Sequence, residues 1–191
     1  MTTEIGRPRD KRIDGAVLDA TVEMLGETGY AELTVDAIAR RAGTSKPAIY
    51  RRWPGKAHVV HEAVFPVSAA TELPDTGSLP GDVREMVRRT AGVLTTPAAR
   101  AALPGLVGEM AADPALHSAL LERFADVLTR GLSDRLGAAV ARGEVRAQVS
   151  AADLVEAVAG ITFLALITRG DALDDAWIDR TAALITRGIC A

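Results

Sequence analysis

Apolar residues along this chain recur at intervals of three and four and almost nowhere alternate, so the pattern predicts helices and very little strand. From Asp10 it places Ile13, Ala16, Val17, Ala20, Met24 and Leu25 on one helical face, and Gly29 supplies the left-handed residue that ends a helix. Thr34 is the predicted N-cap of a short helix carrying Val35, Ile38, Ala39 and Ala42 inward, stopped by Gly43. Thr44 or Ser45 caps the next, with Pro47 in its first turn, where a missing N–H costs nothing, and Ile49 and Trp53 toward the core. Pro54-Gly55 breaks the chain before a fourth helix with Val59, Val60, Ala63 and Val64, which Pro66 ends.

The segment from Ala70 to Gly81, rich in Pro and Gly, reads as a connection between two helical regions. Beyond it, Val83, Met86, Val87, Thr90, Ala91 and Leu94 form a helix ended by Pro97, and a helix broken around Pro104 runs to about Ala112. Asp113-Pro114 opens a long amphipathic helix with Leu116, Leu120, Phe124, Val127, Leu128, Leu132, Leu136 and Val140 along one side, closed by Gly143. Ser150 caps a helix ending near Gly170, and Asp174 or Asp175 starts the last, ending near Gly188. The reading is an all-α protein of about nine helices, with an N-terminal domain over 1–68 and a C-terminal helical domain over 69–191.

Composition excludes more than it identifies. The chain has 191 residues, 48% hydrophobic and 25% charged, which is ordinary for a globular protein, and its net charge of −3 does not attract nucleic acid as a whole. Any such function must come from a local patch. One is present in the linear sequence: Arg40, Arg41, Lys46, Arg51, Arg52 and Lys56 follow one another between Asp36 and Glu62 with no acid among them. Arg7, Arg9, Lys11 and Arg12 add a basic arm ahead of the first helix, suited to a minor groove or to phosphates. Cys190 is the single cysteine, so no disulfide framework or cysteine metal site is expected, which suits the cytoplasm. The N-terminus lacks the apolar stretch of a signal peptide, and the most apolar run, Ala157 to Thr168, is short for a membrane span and reads as a buried helix.

Two short helices joined through Gly43, the second behind a polar cap, form a helix-turn-helix signal. Its second helix is expected to expose Thr44, Ser45, Lys46, Ala48, Arg51 and Arg52. The run from Leu33 to Lys56, LTVDAIARRAGTSKPAIYRRWPGK, resembles the N-terminal domain of the tetracycline-repressor (TetR) family, whose recurring features stand here at Gly29-Tyr30, Thr34, Ile38-Ala39, Ala42-Gly43, Tyr50, Trp53 and Lys56. The resemblance implies a homodimeric, ligand-responsive transcriptional repressor that leaves double-stranded operator DNA when a small molecule binds. It implies phosphate contacts from Tyr50, Lys56 and Thr34, base reading by Lys46 and Ala48, and dimerisation through the last two helices, roughly Ala151–Arg169 and Asp175–Arg187, where Gly160, Ala165, Ala182 and Ala183 are small enough for close approach. Asp36 departs from the family pattern, since some relatives carry a base-reading Arg there.

Other readings of single residues stand beside these. Tyr50 also suits a core position, and Arg40 and Arg41 suit a solvated face. His58, His61 and Glu62 have helical spacing but lack the further donor that zinc requires, and no metal or cofactor is expected. Met86, Met110, Phe124, Phe163 and Trp177 are plain core or the lining of a ligand pocket. No nucleophile–base pair, Gly-rich phosphate loop or paired carboxylate stands out, so an enzyme is not expected. A helical ligand-binding protein without DNA function is at odds with the acid-free basic run. An architectural DNA-binding protein is at odds with the large apolar C-terminal region.

Overall fold

The structure, a computed structural model, describes residues 11–66, 75–170 and 172–191, with all their side chains except those of Lys11, Leu121 and residues 123–131. Nine helices occupy the described residues: α1 Lys11–Glu32, α2 Val35–Arg41, α3 Lys46–Tyr50, α4 Lys56–Val64, α5 Leu79–Leu94, α6 Pro97–Ala112, α7 Pro114–Ala141, α8 Ala151–Arg169 and α9 Asp175–Ile189. The one β-type contact among them is an isolated antiparallel bridge between Val145 and Cys190.

Local chemistry fixes most of the helix ends. Thr34, Ser45, Ser150 and Asp174 each sit in extended backbone and accept a hydrogen bond from the N–H three residues on, satisfying a donor that the helix itself leaves open. Ser150 and Asp153 complete a reciprocal capping box. Gly29 does interrupt α1, at φ 74° and ψ 178°, a region open essentially to glycine alone, and a further turn then carries the chain to Glu32. The expected break at Pro104 does not occur, and α6 runs through it. Pro104 is exposed, so water can meet the carbonyl left without its N–H partner.

Two hydrophobic cores form, and the N-terminal one also takes in residues from beyond position 68. The N-terminal core gathers Val17, Leu25, Tyr30, Leu33, Ile38, Ile49, Trp53 and Val60 from α1 to α4, but also Ala98, Ala99, Ala102 and Leu106 from α6. The C-terminal core packs Val83 and Val87 of α5 against Leu154 and Val158 of α8 and Trp177, Ile178 and Ile185 of α9. Ala165 and Ala182, expected at a dimer seam, are buried in this protomer core. Trp177, for which the sequence leaves plain core and pocket lining open, is likewise buried in this core.

Helix α6 comes close to the N-terminal helices at Gly105, where an added Cβ would stand 2.0 Å from Cδ1 of the buried Tyr30 ring. Gly108, one turn on, is exposed with nothing within 4 Å of an added Cβ. Gly105→Ala is therefore expected to lower the urea midpoint of unfolding, since overpacking of about 1–3 kcal/mol exceeds the gain of about 1 kcal/mol from helix propensity. Gly108→Ala, with only the propensity gain, is expected to raise it. A rise for both variants would show that Tyr30 does not pack tightly on α6.

Candidate nucleic-acid interface

The helix-turn-helix is built from short-range hydrogen bonds. Gly43 takes φ 63°, and the Thr44 N–H bonds back to the Ala39 carbonyl at 2.9 Å, closing the turn that swings α3 across α2. Ile38 and Ile49 are fully buried and hold the two helices on α1 and α4. Thr34 Oγ1 accepts from the Ala37 N–H at 3.2 Å and Ser45 Oγ from the Ala48 N–H at 3.3 Å. Each hydroxyl accepts one bond at its cap and keeps its own hydrogen for an outside acceptor.

Within α3 the burial pattern corrects part of the sequence reading. Ala48 is buried at 7% exposure beside Ile49, so it packs inward and does not present its methyl group outside. A helix of five residues offers too little periodicity to settle such a phase. Ser45, Lys46, Tyr50 and Arg51 are exposed and Thr44 is half-buried. Tyr50, at 45% exposure, is a surface phenol and not a core tyrosine.

The basic run looks different once folded, because carboxylates from other helices reach most of it. Arg41 makes paired hydrogen bonds to Glu27 at 2.7 and 3.0 Å and a third to Glu23 at 3.3 Å, both on α1. The Glu27 carboxyl is held below its ordinary range chiefly by the Arg41 hydrogen bonds. Lys46 Nζ lies 2.7 Å from Asp36 Oδ2 on α2, which pushes the ammonium's pKa upward. Arg52 turns inward: its side chain is 8% exposed, pairs with Asp14 on α1 and donates to the Ala48 carbonyl at 2.9 Å. Its expected exposure on the DNA-facing side is thereby replaced by a brace between the end of α3 and α1. Among the described residues, Arg40 and Arg51 carry no ion pair. Arg7 and Arg9 of the expected basic arm, and the side chain of Lys11, lie outside the described residues.

Lys56, the first residue of α4, stands over the Tyr30 ring with Nζ 4.0 Å from its centroid. It donates to the Tyr30 carbonyl at 3.2 Å and lies 3.9 Å from Glu109 of α6. An ammonium has three hydrogens, so these partners leave capacity for an outside oxygen. Burial, with the Glu109 carboxylate adding to it, pushes the Tyr30 phenol above its ordinary range. Trp53, buried as expected, donates its indole N–H to Glu62 at 2.6 Å. Asp14 and Glu109 have no marker in the linear sequence that would assign them to this surface, because each belongs to it through a distant segment.

Among the described residues no cluster of three metal-binding side chains forms, His58, His61 and Glu62 included. In the C-terminal helices a cavity of about 880 Å³ opens between α5, α7 and the C-terminus, with Met86, Val83, Leu136, Leu154, Arg135 and Arg142 among its walls. Of the sequence-predicted pocket residues, Met86 lines it; Met110 and Phe163 are half-buried elsewhere, and the Phe124 side chain lies outside the described residues.

Residues 17–63 match the tetR family of bacterial regulatory proteins, and residues 73–185 match the tetracyclin repressor-like C-terminal domain. The chain belongs to the TetR family. It is 30% identical over 181 residues to the HTH-type transcriptional regulator YdeS of Bacillus subtilis, an alignment covering 93% of this chain and 90% of that protein. It is 32% identical over 177 residues, 90% of each chain, to the DNA-binding transcriptional repressor TetR of Mycobacteroides abscessus. In fold it is similar to a TetR-family regulator from Mesorhizobium loti, with TM-score 0.64 at 18% identity and coverage of 95% and 96% of the two chains. As a TetR-family transcriptional regulator, the protein carries its helix-turn-helix in α2 and α3.

The two adjacent arginines at the end of α3 should separate cleanly. Arg52→Ala removes charged hydrogen bonds from a nearly buried guanidinium and is expected to cost about 1.5–3 kcal/mol of stability. Arg51→Ala, at an exposed position, should stay within about 0.5 kcal/mol of the parent protein. Urea unfolding of the two variants checks this, and equal losses would contradict the inward placement of Arg52.

Proposed function

We propose that the protein is a homodimeric repressor that occupies operator DNA through α2 and α3 and is released by a small-molecule effector bound among its C-terminal helices. The observation that carries this reading is the surface made by Thr34, Ser45, Lys46, Tyr50, Arg51 and Lys56: hydroxyls, a phenol and cations on one helix-turn-helix and the start of the helix behind it. Thr34, Tyr50 and Lys56 suit phosphate oxygens, with Lys56 at the N-terminus of α4 where the helix adds partial positive charge. Lys46 suits a base edge, Arg51 either a base or a phosphate, and Thr44 and Ser45 flank them. The Mycobacteroides abscessus relative is a transcriptional repressor, which supports repression over activation here. The protein would act in the cytoplasm, where its DNA is.

Dimerisation through α8 and α9 is supported by exposed side chains. Leu164, Ile167 and Leu184 are 60%, 65% and 64% exposed, and Gly160, Leu164 and Ile167 form one stripe along α8. Ala183 is exposed beside Leu184 on α9. The face thus lies one residue away from Ala165 and Ala182, which point into the protomer. A dimer on this face would present two recognition helices to half-sites roughly 34–36 Å apart.

Release by an effector is supported by the position of α6. It follows α5 in the C-terminal part and buries Ala98, Ala99, Ala102 and Leu106 in the core of the DNA-binding helices, so a shift of α6 is felt at Lys56. A cavity of about 880 Å³ falls within the usual range of roughly 300–1,000 Å³ for small-molecule sites. A ligand acts here by favouring one spacing of the two reading heads over another.

Selection of bound duplexes from a random pool, followed by fluorescence anisotropy at several salt concentrations, tests the reading; failure to enrich any sequence would overturn it. On the enriched duplex, Lys56→Ala should lower the slope of log affinity against log salt by about 0.9 per subunit. An unchanged slope would remove Lys56 from the phosphate contacts.

Sedimentation tests the seam. Leu184→Arg should give a folded helical monomer with operator affinity reduced by orders of magnitude, since one half-site contact loses the advantage of linkage. Ala165→Arg should instead unfold the protomer, a buried unpaired charge costing several kcal/mol. A dimeric Leu184→Arg protein with normal affinity would place the seam elsewhere.

A further inference from the structure

The cross-helix pair of Asp36 and Lys46 is unusual for a surface meant to meet phosphates. Asp36 is the second residue of α2 and Lys46 the first of α3; Nζ and Oδ2 are 2.7 Å apart, with the side chains 46% and 57% exposed for Lys46 and Asp36 respectively. Thr34 (two residues before Asp36), Ser45 (next to Lys46) and Arg51 are exposed as well. Asp36 is the last acid before a basic stretch that contains none until Glu62. The pair uses one of Lys46's three hydrogens, and among the described residues nothing bonds Asp36 Oδ1.

A lone lysine is a flexible point charge, equally at home on any phosphate. Held against a carboxylate it is not, because the carboxylate repels the same phosphate that the ammonium attracts. What complements a donor and an acceptor side by side is a base-pair edge in the major groove. Guanine offers O6 and N7 as acceptors, and cytosine offers the N4 amino group as a donor. O6 and N4 are neighbours, since they bond to each other in the pair. An A·T pair fits less well: N7 of adenine sits next to the amino group and repels a carboxylate, and the thymine methyl crowds an ammonium approaching O4.

We propose that Asp36 and Lys46 read a single G·C base pair in each half-site together, Lys46 donating to guanine O6 and N7 while Asp36 accepts from cytosine N4. This rests on the operator-binding reading and sharpens it: Asp36 is a specificity-determining residue, and the operator contains a G·C pair under the junction of α2 and α3. The pair also explains how a carboxylate is accommodated on a DNA-facing surface. Its charge is matched by Lys46 before binding and by the cytosine amino group after it.

The test uses the full-length protein and a duplex enriched from a random pool. Affinities are measured on that duplex and on all its single-base-pair variants for the parent, Asp36→Asn, Lys46→Ala and the exchanged double variant Asp36→Lys/Lys46→Asp. Circular dichroism shows that each variant is folded, and Asp36→Asn keeps the side-chain shape. The parent should lose roughly 5- to 150-fold at one G·C pair per half-site, the range of one good base contact. Asp36→Asn and Lys46→Ala should each flatten the profile at that same pair and leave the other positions unchanged. The exchanged variant should bind best when that pair is inverted to C·G.

Several results overturn the proposal, and they are distinguishable. If Lys46→Ala flattens one position and Asp36→Asn flattens none or another, Lys46 reads alone. If Asp36→Asn raises affinity equally on every duplex, random DNA included, the carboxylate only shields a phosphate contact. A uniform loss for Lys46→Ala would remove base reading by this residue altogether. Failure to enrich any duplex would remove the operator-binding reading beneath it.

Discussion

The DNA-binding helices of this protein do not close a core by themselves. Ala98, Ala99 and Ala102 of α6 complete it against α1 and α4, and the Tyr30 ring lies where a side chain at Gly105 would be. Small residues permit this approach, and the approach leaves no slack. Interiors packed at crystal-like density transmit a displacement and do not absorb it. A helix that belongs by sequence to the C-terminal part is therefore a structural member of the N-terminal one. Helix α6 meets Tyr30, whose ring lies at Gly105, and Lys56 through Glu109, 3.9 Å from its Nζ.

The same assembly sets the electrostatics. Carboxylates from α1, α2 and α6 reach the cations of α2, α3 and α4, so a run that is acid-free in sequence is largely neutralised in space. These pairs are of two kinds. Arg52 with Asp14 is nearly buried and holds α3 in place. Lys46 with Asp36 and Arg41 with Glu27 are about half exposed, where an ion pair contributes little stability and can be exchanged for another partner. Binding DNA is then an exchange of carboxylate for phosphate or base, and not the filling of empty charges. Such a surface gains less from any phosphate it meets by chance. The net charge of −3 adds no general attraction for DNA beyond this surface.

What could be read from the sequence follows the range of the physics involved. Caps at Thr34, Ser45, Ser150 and Asp174 and the positive-φ glycines at 29 and 43 were legible because each depends on neighbours within four residues. The order of the helices and the helix-turn-helix followed from them. Ala48 and Arg52 were misplaced because five residues of α3 do not define a face. The sequence of α8 does not show which way Ala165 faces, because the helix is apolar nearly all round and its pattern has no preferred side. The partners of the cations were invisible for a different reason: Asp14 and Glu109 meet Arg52 and Lys56 only through the packing of α1 and α6 on their neighbours.

The apolar girth of α8 has its own consequence. By length and composition the helix could cross a membrane. Here Leu154, Val158, Thr162 and Ala165 are buried in the protomer core, and Leu164 and Ile167 point away from it. A helix apolar on every side requires cover on every side. In the proposed dimer the second copy supplies it, and the outer face of α8 becomes part of a continuous stack: seam, α8 and α9, α5, and then α6 in the reading head. Helix α5 packs on both α8 and α9, while α6 packs on α1 and α4. The separation of the two recognition helices is the sum of these contacts. In the proposed dimer, an effector held between α5 and α7 would act on that separation without touching the DNA-binding helices, because α5 packs on the two seam helices and leads directly into α6.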